Sequence, residues 1–337
     1  MMAPAQKDTI MADTSRWDPE MLAARQRLDE EAAKYPPVSA REPFDPSREV
    51  TELLGQVFGS GGPTMALTED RWVYARGRRV YTRFHHPAPG EQRPLLIWFH
   101  GGGWVWSSVD THDRLVRELA TASGYAALNV DYSLSPEAKF PTALLECAEI
   151  VRCVAETAAE WDIDPRYIVV GGDSAGGNLA IGTAIALRDQ GGPALAGMHL
   201  AYPVAEANFD TNSYREFAEG HGLTRAAMMV YWDLYTRDPA DRLNPLAAPL
   251  RDHLRALPPA LVQLAELDVL ASEGGMLGSK LNLVGTRAAV ITYPGVLHGF
   301  MRLTESVTQA REAVKHAAEW LKEVGGMLPA QSDLNEG

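Results

Sequence analysis

Apolar and polar positions change rhythm along this chain, and each rhythm predicts a different element. Between Trp17 and Lys34, Met21, Leu22, Arg25, Leu28 and Asp29 alternate faces at a period of about 3.6, and Tyr35-Pro36-Pro37 ends the run. Pro46 to Phe58 repeats the pattern, with Val50, Leu53, Leu54, Val57 and Phe58 on one side and Gly59-Ser60-Gly61-Gly62-Pro63 as its close. Two helices outside the main sheet are therefore expected. Strand alternation begins at Asp70–Tyr74 and continues at Arg78–Phe84, which predicts an antiparallel pair.

The pattern then becomes continuous. Leu95–Phe99 is apolar at every position, as in a strand buried on both faces. A helix is expected at Thr111–Ala122, a strand at Ala126–Tyr132, a helix at Pro141–Glu160, a strand at Tyr167–Val170 with a small-residue helix after it, and a strand at Gly197–Pro203. Such alternation predicts a mostly parallel sheet covered by helices, of about eight strands. Ala205–Leu250 breaks the regularity: it is polar and aromatic-rich, with a helix at Thr224–Tyr235, and reads as an insertion. The sheet resumes at Ala260–Glu266 and ends with Ala288–Tyr293, and a helix at Ser306–Val324 closes the chain. The expected division is an N-terminal arm with cap helices over 1–62, a catalytic α/β domain over 63–204 and 251–326, an inserted cap segment over 205–250, and a flexible tail over 327–337. About the first 15 residues are expected to be disordered.

At 337 residues, 46% of them hydrophobic, the chain can bury a large core as one α/β domain with an insertion. A net charge of −13 argues against nucleic acid and anionic membrane surfaces as partners, since both need a basic face. No apolar run is long enough to span a bilayer, and Met1–Asp18 lacks the apolar core of a secretory signal. The two cysteines, Cys147 and Cys153, diverge on one predicted helix, so two buried thiols in a reducing, cytoplasmic compartment are expected.

Chemistry concentrates at Gly172-Asp173-Ser174-Ala175-Gly176-Gly177, between a β-branched run and a small-residue helix. A serine on such a strand-to-helix turn is lifted clear of the sheet edge, with a helix N-terminus behind it. A serine hydroxyl becomes a nucleophile when a histidine takes its proton and a carboxylate holds that histidine. Five histidines follow Ser174: His199 lies mid-strand, His221 and His253 in the insertion, and His316 in the last helix. Only His298 lies past the C-terminal end of a strand, where open α/β sheets bind ligands. Asp268 follows a strand in the same way and is preferred over Glu266, still in the strand, and Glu273, at the start of the next helix. His100-Gly101-Gly102-Gly103 follows the buried strand at Leu95–Phe99. A glycine run there can turn its amides toward an oxyanion, so Gly102, Gly103 and Ala175 are the expected donors, with His100 bracing the loop. Trp104, Trp106, Phe209, Tyr214, Phe217, Met228, Met229, Tyr231 and Trp232 are candidates to line an apolar, size-limited pocket. Trp104, Tyr202, Phe209, Met228, Trp232 and Leu297 are the residues expected to form it.

At these residues the chain resembles the hormone-sensitive-lipase family of microbial carboxylesterases, within the α/β-hydrolase superfamily. The resemblance runs from about Trp72 to Leu321. It rests on His100-Gly101-Gly102-Gly103-Trp104, Gly172–Asn178, Asp268 within Glu266-Leu267-Asp268-Val269-Leu270, and His298-Gly299-Phe300. Two segments depart from the family pattern. Tyr-Arg-Leu-Ala-Pro-Glu has become Tyr132-Ser133-Leu134-Ser135-Pro136-Glu137, and Asp-Pro-Leu-Arg-Asp-Glu-Gly has become Asp268-Val269-Leu270-Ala271-Ser272-Glu273-Gly274. The resemblance implies an α/β-hydrolase fold with a helical cap, no cofactor or metal, short-chain acyl esters as substrates, and often a homodimer. Hydrolysis of a lactone, an amide or a bulky xenobiotic ester on the same three residues is the alternative. A non-catalytic binding protein of this fold is disfavoured because Ser174, Asp268 and His298 are all present.

Overall fold

A computed structural model describes residues 13–327. The disorder expected before residue 13 and the tail expected beyond 327 lie outside the described residues. Two helices come first, α1 (Pro19–Ala32) and α2 (Asp45–Gly59). Asp18 caps α1 by accepting from the Glu20 and Met21 amides. Then β1 (Leu67–Ala75) and β2 (Arg78–His86) form the expected antiparallel pair, in register from Leu67 opposite His86 to Ala75 opposite Arg78. The turn between them is Arg76-Gly77, both at positive φ, which matches the twist of a tight hairpin.

The remaining elements are β3 (Arg93–Phe99), α3 (Val109–Ser123), β4 (Ala126–Asp131), α4 (Thr142–Glu156), β5 (Ile163–Asp173), α5 (Ala175–Asp189), β6 (Gly197–Ala201), α6 (Asn212–Glu216), α7 (Arg225–Tyr235), β7 (Ala260–Leu267), α8 (Ala271–Leu283), β8 (Ala288–Leu297) and α9 (Thr308–Val324). The eight strands form one sheet in the order β1-β2-β4-β3-β5-β6-β7-β8. β2 meets β4 antiparallel, and every later pairing is parallel. Leu95–Phe99 and Ile168–Val170 are fully buried between helical layers, which accounts for their unbroken apolar pattern.

Some boundaries differ from expectation for local reasons. The helix expected to reach Glu160 stops at Glu156, where the Thr157 hydroxyl donates to the Cys153 carbonyl, and a 3-10 turn over Ala158–Trp161 follows. Strand β8 continues past Pro294 to Leu297 because its pairing with β7 shifts register and resumes at Leu267 opposite Leu297. Cys147 is buried, but Cys153 is only half-buried, and both thiols are free.

This strand order has a functional consequence. From β3 the chain moves to β4 on one side and then returns to β5 on the other, so the winding direction reverses between β3 and β5. Open α/β sheets bind ligands in the crevice outside the strand ends at such a reversal. The loop after β3 carries the glycine run, and the turn after β5 carries Ser174.

Candidate active site

Ser174 adopts φ 56° and ψ −120°, a strained conformation for a residue with a side chain. The strain follows from the bend between β5 and α5, which brings the chain back so tightly that a Cβ on Gly176 would run into the Phe99 carbonyl oxygen. Ser174 sits at the N-cap of α5, yet its hydroxyl caps nothing. It points instead to His298, with Oγ 2.8 Å from Nε2. The other ring nitrogen, Nδ1, lies 2.7 Å from Asp268 Oδ2. Asp268 is fully buried, and its Oδ1 accepts the Leu270 amide at 3.0 Å, which fixes the carboxylate plane. The Tyr202 ring packs edge-on against His298 at 4.9 Å and backs the imidazole.

The competing groups are otherwise engaged. Glu266 accepts from Arg16 at 2.9 Å and from the Gly295 amide at 2.8 Å, and these bonds hold its carboxyl below the usual range. Glu273 is buried and accepts the Ala205 amide at 2.7 Å, and its burial pushes the carboxyl well above the usual range. His199 is buried against Trp98 with Nε2 2.6 Å from Gln263, and burial pushes it down to about 4. His316 meets the Tyr293 hydroxyl, His221 lies in the insertion, and His253 lies beyond it, on the approach to β7.

The glycine loop is built from below. His100 is buried and stacks on Tyr132 at 4.3 Å, and burial together with His112 pushes it down to about 3. The Tyr132 hydroxyl donates to the His100 carbonyl at 2.8 Å. Asp173 accepts the Gly101 amide at 2.9 Å and lies 3.3 Å from His112 Nε2. Burial opposes its ionisation, but His112, Arg302 and the Gly101 amide hold it ionised, well below the usual range. Gly102 has φ 118°, a conformation reserved for glycine, and a Cβ there would strike the Trp106 carbonyl. The Gly102, Gly103 and Ala175 amides find no acceptor among the described residues, so their N–H groups remain available.

Both segments that depart from the family pattern are held by hydrogen bonds in this chain. Ser133 donates from its amide and hydroxyl to buried Glu146. Arg48 of α2 grips Glu137 with two nitrogens and also donates to the Val105 and Ser135 carbonyls. Ser272 exchanges hydrogen bonds with Ser213 of α6, whose hydroxyl donates to the Val269 carbonyl. Helices α2 and α6 are thus tied to the segment after the glycine loop and to the Asp268 loop.

A cavity of about 150 Å³ opens over Ser174 and His298. Of the six side chains assigned to the pocket from sequence, only Met228 lines it. Trp104 is fully buried beneath the glycine loop, stacked on Tyr235 at 4.1 Å and edge-on to Trp232 at 5.2 Å, so both tryptophans are core. Tyr202 supports His298, Phe209 packs on Tyr214, and Leu297 is buried at the end of β8. The lining comes instead from Trp106 and Tyr231, both in the wider aromatic set, and from Ser107, Leu223, Gly299 and Arg302. Nothing in the residue pattern marks Ser107 or Arg302 as cavity-facing. Gly102, Trp106, Ser107 and Arg302 also border a second cavity of about 240 Å³, closed by Leu28 of α1 and Leu54 and Phe58 of α2. Among the described residues no three His, Cys, Asp or Glu side chains gather as a metal site would require. No helix among them is long and apolar enough to cross a membrane.

Known proteins share this fold. The sequence pattern of the alpha/beta hydrolase fold matches residues 96–302. The ethyl acetate hydrolase of Pseudomonas putida is 30% identical over 315 residues, which is 91% of this chain and 98% of that protein. Carboxylesterase NlhH of Mycobacterium tuberculosis is 33% identical over 240 residues, 70% of this chain and 75% of its own. A crystal structure of a thermostable esterase from Pseudomonas putida superposes with a TM-score of 0.87 at 34% identity, covering 93% of this chain and 99% of that one.

Proposed function

The chain belongs to the alpha/beta hydrolase fold family and is a carboxylesterase of its hormone-sensitive-lipase type, and we propose that it cleaves short-chain acyl esters through an acyl-enzyme on Ser174. The observation that carries this reading is the unbroken relay from Ser174 Oγ to His298 Nε2 at 2.8 Å and from His298 Nδ1 to Asp268 Oδ2 at 2.7 Å.

In this mechanism Ser174 Oγ bonds to the ester carbonyl carbon while its proton passes to His298 Nε2. The carbonyl π electrons move onto oxygen, and the Gly102, Gly103 and Ala175 amides donate to that oxyanion. Asp268 keeps the Nδ1 proton in place and stabilises the imidazolium. Collapse breaks the bond to the alcohol oxygen, which leaves with the proton from His298. Water then attacks the acyl-enzyme, His298 takes its proton, and breakdown returns that proton to Ser174 Oγ and frees the acid.

The short-chain preference draws on the cavity volumes. Each of the two cavities is smaller than the roughly 300 Å³ at which drug-sized ligands begin to fit. Met228 and Tyr231 form a wall over the nucleophile. The relative named for ethyl acetate is consistent with a small acyl group. We assign residues 13–62 and 205–250 the role of a cap, because α7 walls the cavity over Ser174 and α1 and α2 wall the adjoining one.

A fluorophosphonate should add its mass to wild type at Ser174 and nowhere on Ser174→Ala. The same variant should lose at least 10³-fold in kcat across acyl esters from acetate to octanoate while its thermal unfolding stays unchanged. Retained hydrolysis by Ser174→Ala would remove this reading, and cleavage of lactones or anilides at rates matching acetate esters would move the substrate class.

A further inference from the structure

Arg302 is the one arginine or lysine lining the cavity over Ser174 among the described residues, and it also borders the adjoining apolar cavity. Its guanidinium carries a fixed positive charge and five N–H donors. No described residue accepts from it or pairs with it within 4.0 Å, although most arginines of this chain are engaged. The nearest acid in sequence, Glu305, is taken by Arg27 and Arg114. Asp173 and Glu52, whose ionisation the Arg302 charge favours, are committed elsewhere: Asp173 to Gly101 and His112, and Glu52 to the Ser108 hydroxyl at 2.7 Å.

The side chain is held by its backbone. Gly299 turns at φ 80° into the 3-10 turn Phe300–Arg302, and Phe300 and Met301 are buried, which sets the direction of the third residue. The same short turn begins at His298. The base and the guanidinium are therefore carried by one short piece of chain and line one cavity. A half-buried guanidinium on a cavity wall, with no protein acceptor in reach, has its donors free for a ligand. Long-range attraction does not explain an anion here, because the protein as a whole carries a charge of −13. The complementarity is local.

We propose that Arg302 is a substrate-binding residue that pairs with a carboxylate, so that the preferred substrates are esters bearing a carboxylate on a short tether from the scissile bond. This rests on Ser174 as the nucleophile. The ester carbonyl sits against Gly102 and Gly103, and the carboxylate meets the guanidinium at the junction of the two cavities, where Arg binds such a group with two parallel N–H donors.

The test compares esters of equal shape and different charge. Monoethyl succinate is paired with ethyl 4-methylpentanoate, which replaces the carboxylate by an isopropyl group on the acyl side. Acetoxyacetate is paired with isobutyl acetate, which does so on the alcohol side. Acid release is followed by pH-stat. Wild type should favour the anionic member of at least one pair in kcat/KM. In Arg302→Gln that charge preference should fall about 10- to 100-fold, mostly through KM, as expected for loss of a charge-assisted hydrogen bond. Arg302→Lys should restore part of it, and Arg302→Glu should favour ethyl 4-(trimethylammonio)butanoate over the anions. For wild type alone, raising salt from about 0.05 to 0.5 M should shrink the preference by screening, a readout that needs no variant to fold. The proposal is overturned if neither anionic ester is preferred, or if the preference moves less than threefold in Arg302→Gln. If instead Ser174→Ala still hydrolyses the neutral esters, the nucleophile assignment fails and not the charge reading.

Discussion

Replacing Asp268 with asparagine changes one atom and reverses a hydrogen-bonding direction. Asp268 accepts twice: Oδ2 faces His298 Nδ1 at 2.7 Å, and Oδ1 takes the Leu270 amide at 3.0 Å. Asparagine has a single acceptor oxygen and a donor NH₂. If its oxygen keeps the Leu270 amide, its NH₂ faces Nδ1, which must then lose its proton and accept. The imidazole proton moves to Nε2, and the ring that should accept from Ser174 Oγ instead donates to it. If the amide flips, the NH₂ meets the Leu270 N–H, and a buried donor left without an acceptor costs about 1–3 kcal/mol. Asp268 is fully buried, so water cannot relieve either arrangement. The first arrangement should prevail, with the fold intact and the wrong tautomer at the nucleophile. A loss of about 10⁴-fold in kcat is expected for a tautomer error of this kind, which is about 5.5 kcal/mol in the barrier. Initial rates on an acetyl ester with active-site titration would measure it, with circular dichroism and thermal unfolding as controls. Glu266→Gln, two residues away and bonded to Arg16 and Gly295, should lose less than tenfold. Asp268→Asn within tenfold of wild type, or Glu266→Gln as impaired as Asp268→Asn, would refute the reasoning.

Further outcomes follow from the surrounding packing. Trp104→Ala removes a fully buried ring stacked at 4.1 Å on Tyr235 and should cost about 3–5 kcal/mol in urea unfolding; a cost under 1 kcal/mol would return Trp104 to the pocket wall. Met228→Ala, which opens the cavity over Ser174, should raise the hexanoyl-to-acetyl ratio of kcat/KM by about tenfold, and an unchanged ratio would place the chain-length limit elsewhere. His199 titrates at about 4 in the fold against 6.5 ordinarily, so the unfolded chain takes up the proton first and stability is lost as pH falls from 6.5 toward 4. His199→Gln lacks this penalty, and its unfolding free energy should gain on wild type by about 3 kcal/mol between pH 7 and pH 4; a constant difference would show that the imidazole is not held neutral.

Much of the frame was legible because hydrophobic period often reports burial. Leu95–Phe99 can be apolar throughout only when both faces are covered, whereas in β1 Val73 turns inward and the aromatics Trp72 and Tyr74 on the other face are exposed. Chain order and strand ends then singled out Ser174, Asp268 and His298, which the fold brings within hydrogen-bond distance across 124 residues of sequence separation. Element ends were less legible. Where α4 stops depends on one threonine hydroxyl, and where β8 stops depends on a register shift against its neighbour.

The sequence alone pointed to the residues proposed for acyl-transfer chemistry, because the glycine turn around Ser174, the glycine run before Trp104 and the strand-end positions of Asp268 and His298 are properties of local backbone and chain order. It could not say which aromatic faces the substrate. Trp104 and Trp106 are near neighbours on the same loop, but Trp104 has φ 62° and turns under the glycine run into the Trp232–Tyr235 stack, while Trp106 borders both cavities. The same limit hid Arg302. An arginine four residues past a histidine is unremarkable in a sequence, since its meaning lies in what stands opposite it. Apolar patterning fixes how deeply a side chain is buried, whereas its partners are set by loop dihedrals and by segments far away in the chain, and only the tertiary structure brings these together.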